Sequence, residues 1–270
     1  MEPSSLAGRV ALVTGAGRRV GIGAAVAARL RAGGARVMLH SWSRHDGDQP
    51  RGADPEGPDA VLRELGGPGT DLDHVQLDLT DPDSPAELVE RTIERFGALD
   101  LLVVNHARSS EQDLAALTAA ELDLSWAVNA RAPLLLVQAY AARHDDRRSP
   151  GRIVLFTSGQ HLGPMPGELP YVAAKGALLQ LTASLADALA DRGITVNCLN
   201  PGPVDTGYAD PPAHRQVAGA FPSGRWTTPA EIAEVVAWLC GPASQPITGQ
   251  VLNAESGFRR YLERVPAPGP

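Results

Sequence analysis

The sequence is short of several residue classes, and each shortage excludes a kind of protein. Aromatic residues make up 4 % of the 270, so a folded core has to be built mainly from Ala, Val and Leu. No apolar run approaches the roughly 18 residues of a membrane span, so no membrane association is expected. The first residues, 1–9, lack a basic stretch followed by an apolar run, so no secretory signal is predicted.

Cysteine is scarce as well, and positive charge is in the minority. Cys198 and Cys240 are far apart in the chain and form no metal-ligand pattern, so we expect no metal and a reducing, cytoplasmic setting. The net charge of −7 argues against general nucleic-acid binding. The remaining composition, with 43 % hydrophobic and 20 % charged residues, is that of a folded globular protein.

What the sequence does contain is a regular alternation of short β-branched runs and helical patterns. The strand-like runs are residues 9–14, 36–40, 74–77, 99–105, 152–157, 195–199 and 250–253. The helical stretches are residues 24–32, 85–96, 119–143, 169–192 and 229–240. Because strands that alternate with helices form parallel sheets, we expect one α/β domain over residues 1–264. The predicted architecture is a Rossmann-type doubly wound parallel sheet of about seven strands with helices on both faces.

Two segments depart from this rhythm. Residues 43–58 are rich in Asp, Gly, Pro and Arg without an apolar period, and they are predicted to form an exposed loop. This loop is longer than most connections, which fits either a functional or a mobile segment. The tail, residues 265–270, is expected to be disordered.

A glycine-rich segment, residues 14–23 (TGAGRRVGIG), lies between the first strand and the first helix. Glycine lets the backbone turn sharply and approach a pyrophosphate, whose charge is attracted to the free N–H groups of a helix N-terminus. A glycine cluster alone also fits an ordinary tight turn, but the strand before it and the helix after it favour dinucleotide binding. The predicted contacts are Gly15, Gly21, Ile22 and Gly23.

The end of the second strand bears on which dinucleotide is bound. Sites that prefer NAD usually place an Asp or Glu here for the ribose 2′-hydroxyl, whereas this chain has Ser41. Arg18, Arg19 and Arg44 are placed to surround a 2′-phosphate, whose geometry suits guanidinium groups. The alternative is that these arginines are solvated loop residues. We predict a preference for NADP(H) over NAD(H).

Tyr171 and Lys175 stand four residues apart at the start of a predicted helix, which puts both side chains on one helical face. A nearby ammonium favours phenolate over phenol, so Lys175 is expected to lower the pKa of Tyr171. Tyr171 would then exchange a proton with an alcohol or carbonyl oxygen while hydride moves at carbon. The spacing by itself also occurs by accident on protein surfaces.

With these residues in view, the chain resembles the short-chain dehydrogenase/reductase family over residues 6–257. The matching blocks follow the family's order: residues 14–23, 78–79 (DL), 105–107 (NHA), 129 (N), 157–158 (TS), 171–175 (YVAAK), 197 (N), 201–206 (PGPVDT), 225–233 and 247–251. Within the family, the chain is most similar to the 3-oxoacyl-carrier-protein reductase-like branch.

The resemblance implies a role for each catalytic candidate. Tyr171 would be the general acid in reduction and the base in oxidation. Lys175 would bind the nicotinamide ribose hydroxyls, and Ser158 would hold the substrate oxygen. Asn129 would support a water path to the lysine, the alternative being a helix-interior asparagine that satisfies a local backbone group.

The resemblance also implies further cofactor contacts. Asp78 and Leu79 would contact the adenine, and Asn105 and Ala107 would lie beside the cofactor at the end of the fourth strand. Asn197 is expected to fix the sixth strand structurally. The loop around the nicotinamide end would be formed by Pro201, Gly202, Val204 and Thr206.

The chain departs from the family's pattern at several positions. Its glycine spacing implies a two-residue insertion, which leaves open whether Gly17 takes the place of the first glycine and which arginine faces the cofactor. His106 replaces an asparagine and is either a packed residue or a proton carrier. Arg108 replaces a glycine and either reaches the cofactor or an anionic substrate, or turns outward. His161 either shapes the substrate cleft or is solvated.

Residues 205–225 lie where relatives carry a mobile substrate lid, although their glycines and prolines also fit an exposed loop. The implied reaction moves hydride between NADPH and a small carbonyl or alcohol substrate, such as a ketone or an acyl thioester. A noncatalytic dinucleotide-binding sensor or scaffold on the same fold is the main rival, and an epimerase or dehydratase is a weaker one. The long helices resemble those through which relatives assemble, so a homotetramer or homodimer is expected.

Overall fold

A computed structural model describes residues 6–48, 54–148 and 150–261 of the chain. Its centre is a seven-stranded sheet in which every pairing is parallel. The strands are β1 (Val10–Val13), β2 (Arg36–Ser41), β3 (Leu72–Gln76), β4 (Leu101–Val104), β5 (Arg152–Phe156), β6 (Thr195–Asn200) and β7 (Val251–Asn253). Their order across the sheet is β3-β2-β1-β4-β5-β6-β7, which confirms the predicted doubly wound fold. The predicted tail, 265–270, lies outside the described residues.

Helices cover both faces of this sheet. They are α1 (Ile22–Ala32), α2 (Ser43–Asp48), α3 (Pro58–Glu64), α4 (Ser84–Phe96), α5 (Ala119–Trp126), α6 (Ala132–Arg143), α7 (Leu169–Leu189), α8 (Pro211–Gly219) and α9 (Pro229–Cys240). Alternate strand residues point to opposite faces. Ala11 and Val13 accordingly belong to the core beneath α1 and α9, and Val10 and Leu12 to the core beneath α4 and α6.

The ends of the helices follow from local sequence chemistry. Thr228 begins α9 with a reciprocal cap, in which its hydroxyl accepts from the Glu231 amide and the Glu231 carboxylate accepts from the Thr228 amide. Pro229 follows in the first turn, where its missing N–H costs nothing. Gly97 ends α4 in a left-handed conformation, at φ +80°, that a glycine adopts without strain.

The structure corrects two of the predicted elements. Residues 43–58 are not wholly a loop, because α2 begins at Ser43 and α3 begins at Pro58. The predicted helix 119–143 is interrupted by a π-helical turn, Ala127–Arg131, that separates α5 from α6. The apolar period through 119–143 is unbroken, so the extra residue of the π turn left no sign in the sequence pattern.

Candidate active site

A cavity of about 590 Å³ opens at the carboxyl ends of the paired strands β1 and β4, from which the chain continues to opposite halves of the sheet. This topological switch point is where open α/β sheets bind ligands. Most of the predicted site residues line the cavity, namely Gly15, Arg18, Gly21, Ile22, Ser41, Arg44, Asp78, Leu79, Asn105, Ala107, Tyr171, Lys175, Pro201 and Thr206. The other predicted site residues are not part of this lining: Arg19, Gly23, Asn129, Ser158, Gly202 and Val204.

The glycine segment forms a cradle with no room for side chains. Gly15 has a φ of +70°, and a Cβ there would stand 2.6 Å from the His106 Cα atom. A Cβ on Gly23 would stand 2.9 Å from the Ala16 Cα atom. Gly21 is the N-cap of α1 and offers no side-chain cap, so the first N–H groups of that helix are free to meet an anion. Gly15 and Gly17 both lie in the cavity wall.

Replacing Gly23 by Ala is expected to lower the free energy of unfolding by about 1–3 kcal/mol, because the new methyl group meets backbone atoms that cannot move aside. Gly219→Ala is the control, since that helical glycine in α8 faces open space and alanine is the better helix former. Urea unfolding of both variants measures the difference. Equal stability of the two variants would contradict the cradle geometry.

The wall next to this cradle is built from a buried polar network. The Asn105 amide group donates to the carbonyl oxygens of Thr14, at 3.1 Å, and Gly15, at 3.0 Å. His106 lies between the Thr14 hydroxyl, 2.8 Å from its Nδ1, and the Val128 carbonyl, 3.0 Å from its Nε2. Because a carbonyl only accepts, Nε2 carries the proton and Nδ1 accepts from Thr14.

Burial sets the protonation of the two histidines at this wall. It holds the pKa of His106 well below its usual range, and His40 and Lys175 lower it further. His40, whose Nε2 donates to the Leu77 carbonyl at 2.9 Å, has its pKa lowered to about 4 by the same cause. Both rings are therefore neutral at physiological pH. The packed interpretation of His106 fits this environment, whereas a proton carrier would need a pKa near neutrality.

Arg44 and Ser41 lie together at the end of β2, in the cavity wall. The buried Ser41 hydroxyl is 2.8 Å from Nε2 of His74 on β3, a partner that sequence reasoning missed. Nothing local in the sequence signals this partner, because it is brought into place by the parallel pairing of β2 with β3. Asp78 and Leu79 also line the cavity, and the Asp78 carboxylate accepts from the Thr80 amide at 2.9 Å.

The two neighbouring arginines of the glycine segment point in different directions. Arg19 turns away from the cavity, because Asp54 and Glu56 pair with its guanidinium at 2.8 and 3.1 Å. Arg18 lines the cavity and donates to the Thr206 carbonyl at 2.8 Å. Its guanidinium also lies 4.1 Å from the ring centre of Tyr208. We therefore leave Arg19 out of the proposed cofactor contacts, and Arg18 connects the glycine segment to the segment after β6.

Tyr171 and Lys175 meet in the cavity wall as the helical spacing predicts. The Lys175 Nζ atom lies 5.9 Å from the centre of the Tyr171 ring and donates to the Phe156 carbonyl at 2.8 Å. Ser158, the second residue after β5, lies close enough to Tyr171 for its side chain to lower the pKa of the phenol. Thr157, between the strand and Ser158, donates its hydroxyl to the Lys175 carbonyl at 3.0 Å and so ties β5 to α7.

The expected lowering of the Tyr171 pKa is not what the structure gives. Burial raises the pKa of Tyr171 to about 12, and it outweighs the effect of the Ser158 side chain, which acts in the opposite direction. Burial also lowers the pKa of Lys175 to about 8. The reason is that Lys175 is itself desolvated and directs its ammonium at a backbone carbonyl rather than at the phenol oxygen.

Asn129 sits in the π turn and is completely buried. Its Oδ1 accepts from the Arg108 amide at 2.7 Å and its Nδ2 donates to the Arg108 carbonyl at 2.9 Å. It thereby fixes the backbone after β4. The backbone group that it satisfies is 21 residues away in the chain, not in its own helix as the alternative supposed.

Arg108 lies in the cavity wall, where Glu121 holds its guanidinium through two hydrogen bonds of 2.8 and 2.9 Å. The same contact lowers the pKa of the Glu121 carboxyl. The positive charge at this point of the wall is therefore largely balanced. His161 is exposed in the short turn that follows Ser158.

The segment after β6 completes the far end of the cavity. Gly202 has a φ of +64° and packs against Glu255, while Val204 bridges to Thr227. The Asn197 side chain donates to the Ile247 carbonyl at 2.8 Å and accepts from the Gln250 amide at 3.1 Å, which is the expected structural role.

The described residues contain neither a metal-binding cluster nor a membrane-spanning helix. Across 6–48, 54–148 and 150–261, no cluster of three or more His, Cys, Asp or Glu side chains is arranged to hold a metal ion. Within those same ranges, no helix has both the length and the apolar character to cross a membrane.

Comparison with known proteins identifies the family. A family model described as enoyl-(acyl carrier protein) reductase matches residues 15–259. The chain is 34 % identical to the uncharacterized oxidoreductase YjdA of Bacillus subtilis, over 93 % of this chain and 97 % of the relative. It is 35 % identical to cis-4-hydroxycyclohexanecarboxylate dehydrogenase of Sinomonas cyclohexanicum, over 94 % and 98 %.

A solved structure of a short-chain dehydrogenase from Burkholderia cenocepacia in complex with NADP superposes with a TM-score of 0.81. It is 33 % identical in sequence and covers 94 % of this chain and 98 % of its own. The expected reductase-like branch is consistent with the matching family model. The sheet order, the cavity at its switch point and these similarities together show that the chain belongs to the short-chain dehydrogenase/reductase family of oxidoreductases.

Proposed function

We propose that the protein is an NADP(H)-dependent oxidoreductase that transfers hydride between the nicotinamide and a carbonyl or alcohol carbon. The observation that carries this proposal is the position of Tyr171, in the cavity wall with the Ser158 side chain beside it and Lys175 one helical turn away. A phenol placed beside a second hydrogen-bonding hydroxyl can both hold a carbonyl oxygen and protonate it. The noncatalytic rival has no use for this arrangement.

The residues divide the work by their contacts. Ser158 donates to the substrate oxygen and orients it, and Tyr171 gives that oxygen its proton in reduction or removes it in oxidation. When bound, the nicotinamide supplies or accepts the hydride. Lys175, held by the Phe156 carbonyl, keeps a cation close to Tyr171 and is placed to bind the ribose hydroxyls.

Several features fit a dinucleotide in this cavity. Gly15 and Gly23 let the backbone of the glycine segment pack too closely for a Cβ atom, and the start of α1, which has no side-chain cap, presents N–H groups to a pyrophosphate. Asp78 and Leu79 line the end where an adenine would lie. Arg44 is the candidate partner of a 2′-phosphate, because it lines the cavity next to Ser41 while Arg19 is paired elsewhere.

The substrate class we propose is a small ketone, a secondary alcohol or a 3-oxoacyl thioester. The relatives support this breadth, since they include the hydroxycyclohexanecarboxylate dehydrogenase above and versicolorin reductase stcU of Emericella nidulans. We further propose that residues 205–225 act as the substrate lid, with Arg18 contacting the start of that segment at Thr206 and Tyr208.

Coenzyme turnover tests the proposal directly. The purified chain is assayed with NADPH and with NADH against a panel of cyclic ketones, diketones and a 3-oxoacyl thioester analogue. Turnover of at least one carbonyl compound, with a higher kcat/KM for NADPH, is expected. No turnover with either coenzyme, despite NADPH binding, would favour the noncatalytic rival, and a clear preference for NADH would overturn the choice of coenzyme.

Arg44→Ala is expected to weaken NADPH binding by about tenfold or more, since a hydrogen bond to a charged group contributes about 1.5–3 kcal/mol. NADH binding should stay unchanged, because NADH has no 2′-phosphate. Arg19→Ala is the matched control, an arginine from the same predicted set whose partners are Asp54 and Glu56. Dissociation constants measured by fluorescence titration decide the matter. An equal loss for both coenzymes in Arg44→Ala would show that Arg44 does not read the phosphate.

A further inference from the structure

The turn after β7 contacts two segments that flank the cavity, through Glu255 at Gly202 and through Arg260 at Gly159. Within it, the Glu255 carboxylate accepts from two side chains, the Asn200 amide at 2.7 Å and the Arg260 guanidinium. Both members of this ion pair are largely buried, with side chains 11 % and 18 % exposed. A buried pair fixes its two chain segments relative to each other more firmly than a surface pair does.

Arg260 lies against the backbone that follows Ser158. A Cβ on Gly159 would stand 2.6 Å from the Arg260 guanidinium carbon, so the guanidinium occupies the space that only a glycine leaves free. The same side chain passes Gly163, where a Cβ would be 2.8 Å from the Arg260 Cδ atom. The Arg260 side chain thus packs against Gly159 in the turn Gly159–His161 and against Gly163 just after it.

Glu255 lies against the opposite side of the site. A Cβ on Gly202 would stand 2.9 Å from the Glu255 Cγ atom. The Gly202 amide donates at 3.0 Å to the Oδ1 atom of Asn200, whose Nδ2 atom donates to Glu255. Pro201, the neighbour of Gly202, lines the cavity. Glu255 is therefore tied to the loop that we assign to the nicotinamide end.

We propose that Glu255 and Arg260 are positioning residues that act as a clamp between two loops. One is the serine loop, residues 158–163, and the other is the loop after β6, residues 201–206. This inference rests on the proposed function, because it assigns Ser158 and the Pro201–Gly202 loop to opposite sides of the reacting carbon. The clamp fixes the distance between the hydroxyl that holds the substrate oxygen and the surface that holds the hydride donor. A displacement of about 1 Å between such groups can cost about a hundredfold in rate.

A double-mutant cycle tests the clamp. Gly159→Ala places a methyl group where the guanidinium lies, so it should displace Arg260, shift Ser158 and lower kcat by about ten- to a hundredfold with little change in the KM for NADPH. Arg260→Ala should lower kcat by a similar factor. In the double variant the methyl group enters the space vacated by Arg260, so kcat should equal that of Arg260→Ala alone.

Gly167→Ala is the control, because it adds a methyl group to the same connection between β5 and α7 in open space and should retain the activity of the unaltered protein. The clamp is overturned if Gly159→Ala is as active as Gly167→Ala. It is also overturned if the reductions in kcat caused by Gly159→Ala and Arg260→Ala multiply in the double variant. Full activity of Arg260→Ala would overturn it as well.

Amide hydrogen exchange separates failure of the clamp from failure of the proposed function. The Leu162 and Gly163 amides donate to the Gly159 carbonyl at 2.9 and 3.2 Å, so they report directly on the serine loop. Arg260→Ala should speed their exchange by about tenfold, and Arg259→Ala, at an exposed neighbour, should not. Faster exchange in a protein without turnover leaves the clamp standing and removes the proposed function. Unchanged exchange overturns the clamp whatever the turnover.

Discussion

Replacing Tyr171 by Phe lowers the kcat of carbonyl reduction by about two to four orders of magnitude, while the dissociation constant for NADPH stays within about twofold. The change removes one hydroxyl and keeps the ring that packs near Lys175. The change leaves Ser158 in its backbone position after β5. The proton that the substrate oxygen needs would then have to come from water, which is a poor acid at neutral pH.

Steady-state kinetics and NADPH titration on the same preparation measure the two quantities. Tyr140→Phe is the matched control, because its hydroxyl donates to the Asp100 carbonyl at 2.9 Å, next to the amino end of β4 and away from the cavity. That variant should lose about 1 kcal/mol of unfolding free energy and retain its kcat. A Tyr171→Phe protein with more than about a tenth of the original kcat would show that the phenol is not the principal acid.

The high pKa of Tyr171 also carries a directional expectation. With its pKa raised to about 12, the phenol stays protonated throughout the neutral and mildly alkaline range. A protonated phenol is the acid that reduction requires, whereas oxidation requires the phenolate. The site as it stands in the structure is thus better prepared for reduction, and the reductive rate should show no loss from Tyr171 titration below about pH 10.

The main features of the fold could be predicted because they are periodic in the chain. Short β-branched runs and the helical patterns between them are local signals, and their alternation predicts a parallel sheet. The helix α3 was missed because Gly57 and Pro58 are typical of a turn. Pro58 in fact begins the helix, and the buried Ala60, Val61 and Leu62 then pack against the sheet.

The site was predictable where spacing along one element decides the geometry. Tyr171 and Lys175 meet because four residues make one helical turn. The arginine that faces the cavity was not predictable, because Arg18 and Arg19 are neighbours and the choice is made by Asp54 and Glu56.

Protonation was the least predictable property of the site. A charge partner is visible in the sequence, but the desolvation that raises the pKa of Tyr171 and lowers that of Lys175 depends on packing across β5 and α7. The proposed clamp could not be predicted from the sequence either, because it also depends on packing. Gly159, Gly202 and Glu255 come from three separate connections of the chain.

Lys175 provides the second large expected effect, which is on the free energy of unfolding rather than on the reaction rate. The lysine content of the chain makes this effect measurable. It is the only lysine in the sequence, and its pKa falls from 10.5 in an open chain to about 8 in the folded protein. Between those two values the unfolded chain binds more protons than the folded one, so the free energy of unfolding from this residue rises with pH. Below pH 8 the full penalty of burying the charge applies, roughly 3 kcal/mol at this shift.

Lys175→Met should therefore be more stable than the original protein at pH 7, by about 2 kcal/mol after the lost bond to the Phe156 carbonyl is subtracted. The advantage should shrink as pH rises from 8 and vanish by about pH 10. Burial raises the pKa of Cys198 to about 11 and of Cys240 to about 12, which acts in the opposite direction above pH 9. Cys240 is the same in both proteins and cancels in the difference, whereas Cys198 interacts with Lys175, so its contribution has to be included above pH 9. Urea unfolding at intervals from pH 7 to about pH 10 measures this difference.

Lysine-selective isotope labelling gives a single ε-methylene resonance whose titration reports the pKa of Lys175 itself. A midpoint near that of a free lysine, with a stability difference that does not change with pH, would mean that the ammonium is solvated and that the buried pair with Tyr171 does not exist.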